Sequence, residues 1–228
     1  MRVLRTASLA LVLIGCSGHK PAASVDHVIV GVSDLAQGMV QIEQLTGVRP
    51  VIGGAHPGAG TQNALLSLGE GTYLEILAPN PAERVASPDV EQLSRLTKPT
   101  PIGWAISASD AGSLRTALAS QGFKLTAPDP GSRRKPDGSM LSWVTFGFAN
   151  LDHPLAPFFI IWGNPAQHPS RTSARGCELR SIHFEDPAAA GLGRAVKALA
   201  VNVAVTKARR SRMTVDLTCP KGDVKLGN

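Results

Sequence analysis

Two candidate chemical groups interrupt stretches that are otherwise mostly apolar. His27 interrupts the β-branched run Val25-Asp26-His27-Val28-Ile29-Val30-Gly31-Val32, and Glu75 interrupts Tyr73-Leu74-Glu75-Ile76-Leu77. An imidazole and a carboxylate brought to one cavity make an incomplete divalent-metal site, because two His and one carboxylate form a facial triad with open positions. Without a metal, the same two side chains form a hydrogen-bonded acid–base couple. Incidental placement is the third alternative. His56, between Gly53-Gly54 and Pro57-Gly58, and His168, before Pro169, are the candidate acid–base or substrate-contacting imidazoles. His56 is equally readable as a histidine capping a nearby carbonyl, and the functional signal at His168 is similar but weaker. His56, Asn63 and His168 are also candidate helpers for an incomplete metal set. Asn63, Arg134 and Trp143 are candidate ligand-binding residues. Arg133, Arg134 and Lys135 could clamp a carboxylate or phosphate near Asp137, or simply solvate a loop. His183 reads as a plain sheet residue. No Ser-His-Asp arrangement, phosphate loop or dinucleotide fingerprint is visible, and Gly191-Leu192-Gly193 is a helix segment with two glycines.

The elements that must hold these residues recur along the chain. A β-run at 25–32, closed by Ser33-Asp34, is followed by helical spacing over 35–45 and a stop at Gly47. Strands are expected at 48–52, 63–68 and 72–77. The same order returns as a strand at 102–108 closed by Ser109-Asp110, a helix at 111–121, and strands at 123–126, 141–148 and 158–162. The Pro-, Gly- and Arg-rich stretch 128–138 reads as an inserted loop. A third copy has a strand at 179–184 closed by Glu185-Asp186, a helix at 188–199, and strands at 201–206, 213–218 and 224–226. Asp34, Asp110 and Asp186 are spaced by 76 residues each time. Alternation across a strand puts Val28, Val30 and Val32 on one face and His27 on the other. It likewise separates Leu74 and Ile76 from Tyr73, Glu75 and Leu77. By the same reasoning Trp104 and Trp162 fall on the aliphatic side of their strands.

These repeats, with Asp26-His27 opening the first and Tyr73-Leu74-Glu75-Ile76 closing it, resemble the vicinal oxygen chelate superfamily. The glyoxalase-like branch is the specific likeness, through Gly53-Gly54-Ala55-His56-Pro57-Gly58-Ala59-Gly60-Thr61-Gln62-Asn63. Arg134-Lys135-Pro136-Asp137-Gly138 with Trp143 is similar to a second stretch of that family. Pro157-Phe158, Trp162-Gly163 and His168-Pro169 are similar to a third. The resemblance spans residues 25 to about 228. It implies an α+β fold of repeated βαβββ modules, with curled mixed sheets forming a cup and a third C-terminal βαβββ-like unit. It also makes the first and fourth strands neighbours, so that His27 and Glu75 line the cup as partial ligands of a divalent metal of unassigned identity. The second module does not complete that set. Matching the Ser-Asp pairs puts Gly103 at the position of His27. Matching Asn80-Pro81 to Asn164-Pro165 puts Phe159, or Ile161 after a slide of two, at the position of Glu75.

The N-terminus points to a compartment. Arg2 and Arg5 precede a short apolar run over 7–14 that ends in Leu13-Ile14-Gly15-Cys16. That run is shorter than the roughly 20 residues needed to span a bilayer, and it fits a lipoprotein signal peptide. The expectation is cleavage before Cys16, lipidation of Cys16, and anchoring in the cell envelope, facing the periplasm or the cell surface. Ser17 favours the outer membrane. The expected parts are a signal peptide at 1–15, a tether at 16–24, modules at 25–81 and 100–165, and the third unit at 178–228. The net charge of +6 includes the cluster Lys207-Ala208-Arg209-Arg210-Ser211-Arg212, read as a solvated β-turn or an anionic-surface contact. Aromatic residues do not alternate with basic ones, so nucleic acid is not an expected partner. Cys177 and Cys219 form either a disulfide or two buried thiols.

Two functions follow. One is a small-molecule enzyme of lyase, isomerase or dioxygenase type that uses the cup with metal assistance. The other is a small-molecule-binding lipoprotein that has lost the metal. The small apolar wall at Gly103 with Phe159 or Ile161 favours the second. The buried carboxylate of Glu75, which needs a partner, favours the first.

Overall fold

A computed structural model describes residues 23–83 and 85–227. The candidate signal peptide and Cys16 lie outside those residues. The first module consists of β1 (Ser24–Gly31), α1 (Leu35–Thr46), β2 (Val51–His56), β3 (Thr61–Ser67) and β4 (Tyr73–Pro79). Helix α1 starts where Asp34 accepts a hydrogen bond from the Gln37 amide, and it stops at Gly47, whose φ of 78° is the left-handed conformation glycine favours. Leu35, Met39 and Ile42 bury one stripe of that helix.

A short helix follows that the sequence reading did not anticipate, α2 (Pro88–Ser94). Its signals are local: Ser87 caps the Val90 amide, Pro88 opens the first turn, and Asp89 and Glu91 complement the helix dipole there. The second module is β5 (Thr100–Ser107), α3 (Ala111–Ala119), β6 (Asp129–Arg134), β7 (Met140–Phe146) and β8 (Phe158–Trp162). Asp110 caps α3 as Asp34 caps α1.

The expected strand at 123–126 is reduced to one bridge between Leu125 and Phe148. The true partner of β7 is the stretch that reads as an inserted loop. Residues 129–134 form β6, paired antiparallel with β7. Proline and glycine are tolerated there because β6 is an edge strand. Gly131 is needed in addition because a Cβ would lie 2.3 Å from the Trp143 Nε1 atom.

Eight strands make one sheet in the order β2-β3-β4-β1-β5-β8-β7-β6. In each half the first and last strands of the module run parallel, and the halves join antiparallel through β1 and β5. The sheet curls until its edges nearly meet. Arg133 on β6 donates a hydrogen bond from Nη1 to the Gly53 carbonyl on β2. Gly54 permits the approach, since a Cβ there would stand 2.6 Å from the Arg134 carbonyl oxygen. The convex face carries Val28, Val30, Leu74 and Ile76, and α1 brings Ile42 into the same core, all without exposed surface. The concave face lines a cup.

The third unit holds β9 (Glu178–Asp186), α5 (Ala189–Leu199), β10 (Ala204–Lys207), β11 (Arg212–Cys219) and β12 (Gly222–Gly227). Its element order repeats that of the modules, but its wiring differs. Here β10 pairs directly and in parallel with β9, giving the order β10-β9-β11-β12. The third aspartate of the series also behaves differently. Helix α5 has no side-chain cap, and Asp186 is buried at the end of β9, where it accepts hydrogen bonds from the Ala188 amide and Ser211 Oγ. This sheet packs over the convex side of β5, with Trp104 against Phe184 at 5.3 Å between ring centroids. The two sheets share one continuous hydrophobic core. Cys177 and Cys219 are joined by a disulfide. The basic cluster 207–212 spans the turn between β10 and β11.

Candidate functional site

The cup encloses a cavity of about 420 Å³, lined by His27, His56, Asn63, Tyr73, Glu75, Arg133, Trp143, Phe158, Ile160 and Trp162 among others. Strands β1 and β4 bring the first pair together. Ile29 is the register partner of Glu75, and His27 that of Tyr73. The His27 Nε2 atom stands 3.6 Å from Glu75 Oε2. Tyr73 stacks on the His27 ring at 4.7 Å. Burial, and then the charges of Glu75 and Asp26, push the phenol well above its ordinary range, so Tyr73 is a neutral wall.

Behind His27 lies Asp26. Strict alternation assigns it to the opposite, aliphatic face. The β1–β5 register slips between Val25 and His27, so Asp26 is a bulged residue without a partner on β5. The bulge turns the carboxylate towards the same side as its neighbour. Its Oδ1 lies 2.7 Å from His27 Nδ1, while Oδ2 accepts from Trp162 Nε1 at 2.9 Å and from His168 Nε2 at 3.2 Å. Burial alone would raise its pKa. The hydrogen bonds and charges of His168 and His27 outweigh that and bring it down to about 2. An ionised Asp26 keeps the His27 proton on Nδ1 and so aims Nε2 at Glu75. Its sequence signal is an acidic residue in series with Val28 and Val30, where a charge cannot be left unpaired.

His56 reaches the cavity from the end of β2. Asn63 Nδ2 donates to Glu75 Oε1 at 2.6 Å and lies 3.2 Å from His56 Nε2, while His56 Nδ1 is 2.9 Å from Thr61 Oγ1. This pattern describes a neutral imidazole with its proton on Nδ1. Burial lowers its pKa, opposed by Glu75 and reinforced by Arg133 and His27. The Asn63 Oδ1 atom is buried without a partner. It lies over Gly53, where a Cβ would be 2.2 Å away.

The other candidates separate into cup and periphery. Trp143 lines the cavity. Arg134 does not: it is exposed, and its Nη1 donates to the Gly138 carbonyl at 2.9 Å. Lys135 pairs with Asp137 at 3.5 Å. Their neighbour Arg133, on the inward side of β6, is the cation that enters the cup. His168 is buried at the start of the turn α4 (Pro169–Thr172), where its Nδ1 accepts from the Ser170 amide. It supports Asp26 and does not line the cavity. Trp162, expected on the aliphatic side, faces the cup instead. The β5–β8 register pairs Ala105 with Phe158. Phe158, not Phe159 or Ile161, therefore takes the place of Glu75, and Phe159 is buried in the core. Gly103 keeps its expected counterpart position, partnering Ile29 across β1 and β5.

A divalent metal does not fit this arrangement. Nitrogen and oxygen ligands sit about 2.1 Å from such an ion, which places adjacent donors roughly 3.0 Å apart in an octahedral and roughly 3.4 Å apart in a tetrahedral site. The His27 and His56 Nε2 atoms stand 3.6 and 3.7 Å from two different Glu75 oxygens, and an amide N–H already occupies Oε1. Phe158 and Ile160 supply no ligand from the second module. Among the described residues, no group of three or more His, Cys, Asp or Glu is placed to hold an ion.

Comparison with known proteins supports the same architecture. Residues 25–200 match the glyoxalase-like domain. No curated protein matches the chain. Among solved structures, the chain is similar to a hypothetical protein from Staphylococcus aureus, with a TM-score of 0.60 and 14% identity over 90% of this chain and 85% of that one. Methylmalonyl-CoA epimerase from Mycobacterium tuberculosis gives a TM-score of 0.42 at 21% identity, over 63% of this chain and 90% of its own. The Streptomyces coelicolor epimerase, in complex with 2-nitronate-propionyl-CoA, gives 0.45 at 16% identity, over 61% and 97%. At 14% identity the likeness to the Staphylococcus aureus protein is one of fold.

Proposed function

Because the chain belongs to the glyoxalase-like domain family of the vicinal oxygen chelate superfamily, we propose that its cup holds a small organic molecule and exchanges a proton with it through Glu75. One observation carries this reading: Glu75 Oε2 makes no hydrogen bond among the described residues and faces His27 Nε2 across 3.6 Å. Its other oxygen is held by Asn63. In the proposed step, the proton leaves a C–H or O–H bond of the ligand, its electron pair stays on the ligand, and Glu75 Oε2 receives the proton. Return of that proton to another position isomerises the ligand and resets the carboxylate. His27, whose proton is held on Nδ1 by Asp26, presents Nε2 as an acceptor and so stabilises Glu75 once Oε2 has received the proton. The aromatic walls exclude water and strengthen each polar contact in the cavity.

A second reading is favoured by the far wall. Phe158, Ile160 and Trp162 make half the cup apolar and offer no chemistry, as suits a protein that sequesters its ligand unchanged. One experiment separates the two. Ligands found by thermal-shift screening are incubated in deuterium oxide and followed by NMR. Proton transfer requires deuterium to enter a carbon position with the wild type and this to fall at least about a hundredfold in Glu75→Gln, with binding retained. Binding without exchange in either protein would leave the sequestration reading.

The proposed location is the cell envelope, through lipid on Cys16, with the cup facing the periplasm or the cell surface. The basic start, short apolar run and Leu13-Ile14-Gly15-Cys16 support it. The disulfide suits an oxidising compartment. Intact-mass analysis of detergent-extracted protein decides it, since a retained N-terminus with unmodified Cys16 defeats the proposal.

A further inference from the structure

Arg133 is a charged side chain with 4% of its surface exposed, at the wall of the cup. Buried charges are ordinarily paired, because the cost of removing them from water must be offset. The Arg133 guanidinium donates to the Gly53 carbonyl through Nη1, and it makes no other hydrogen bond or ion pair among the described residues. Glu75 acts on it only through its charge at longer range. A guanidinium offers five N–H donors in a planar fork. One carbonyl leaves most of that fork to whatever fills the cavity. The two basic neighbours are different, because Arg134 braces a turn and Lys135 meets Asp137. Alternation along β6 turns Arg133 alone inward.

The wall that the second module builds beside Arg133 is mostly aromatic and apolar. Trp143 and Trp162 meet edge to face at 5.8 Å, with Phe158 and Ile160 beside them. We propose that Arg133 is an anion clamp, and that the cup takes a planar, mostly apolar molecule bearing one carboxylate. The carboxylate oxygens receive the guanidinium fork, and the ring lies against Trp143 and Trp162. A single carboxylate suits a cavity with one unpaired cation, because a second would meet the negative charge of Glu75. The proposal rests on the reading of the cup as a small-molecule site and narrows the ligand class.

Calorimetric titration of the mature protein with three matched pairs tests it: benzoate and benzamide, 2-naphthoate and 2-naphthamide, indole-3-carboxylate and its amide. In at least one pair the carboxylate is expected to bind about tenfold or more tightly than the amide. In Arg133→Gln the carboxylate should fall to the affinity of the amide, and Arg133→Lys, which keeps the charge but not the fork, should fall between. Because Arg133 also ties β6 to β2, each variant is checked by its thermal unfolding midpoint, and the wild-type comparison stands without any variant. Equal binding of acid and amide throughout overturns the clamp and leaves the small-molecule reading intact. Binding of none of the six overturns both.

Discussion

Asp26 has no exposed surface and yet stays ionised, because three donors from β1, β8 and the turn at His168 converge on it. Its pKa falls from the ordinary 3.8 to about 2. The folded value lies below the unfolded one, so the stabilisation is complete above about pH 4 and is lost as the pH falls towards 2. The shift corresponds to about 2 kcal/mol. Urea unfolding between pH 2 and 5 should show this loss in the wild type and not in Asp26→Asn. That variant should be less stable by about 2–4 kcal/mol at pH 7, since it leaves buried N–H donors without an anionic acceptor. Gly53 is a second point of constraint. Gly53→Ala would put a methyl group onto Asn63 Oδ1 and drive Asn63 from Glu75, at about 1–3 kcal/mol. In a double-mutant cycle with Asn63→Ala the combined loss should be smaller than the sum of the singles, since both act through one contact. Additive losses would detach Gly53 from the site.

At the scale of elements, β6 makes the cup nearly complete. It carries Arg133 and closes the sheet against β2, although its composition is that of a loop. Helix α2 fills the cup side near Gly31, whose missing side chain leaves room for Leu93 and Leu96. The C-terminal sheet is tied differently, by the disulfide across 42 residues of chain. Loop-closure entropy for such a span corresponds to about 4 kcal/mol, and measured effects are typically 2–4 kcal/mol. Replacing both cysteines by serine should lower the unfolding free energy by about 2–4 kcal/mol in denaturant titrations. An unchanged midpoint would show that the sheet needs no such tie.

The whole molecule unfolds as one body if its core is one body. Buried residues of the cup modules and of the C-terminal sheet form a single cluster. A single cooperative transition is therefore expected, with calorimetric and van't Hoff enthalpies in agreement. A chain cut after residue 177 should fail to fold cooperatively, because Trp104 and its convex neighbours would lose Phe184 and the third sheet. Two separable transitions would contradict this. Metal content is a property of the purified whole. Members of the superfamily commonly use a divalent metal, but this donor set does not fit one. Elemental analysis after titration with Mn, Fe, Ni and Zn should find no stoichiometric ion. Stoichiometric binding lost in both His27→Ala and Glu75→Ala would restore the metal reading.

Local patterns carried much of this architecture. Period-two alternation placed Val28, Val30, Leu74 and Ile76 on the convex face and His27 and Glu75 in the cup, because side-chain direction follows from strand geometry alone. Asp34 and Asp110 announced their helices because a cap is satisfied within one turn. Tertiary structure decided what depends on partners far along the chain. A slip against β5 turned Asp26 inward, where alternation assigns it outward. The β5–β8 register brought Phe158 and Trp162 to the cup, and a one-residue difference in register exchanges the faces of a strand. Pairing with β7 made a strand of a Pro- and Gly-rich loop, and turned Arg133 rather than Arg134 towards the cavity. The C-terminal unit shares the element order of the modules but not their wiring. Periodicity sets which way a side chain points within its own strand, whereas register and strand order are set by contacts that form only when distant segments pack.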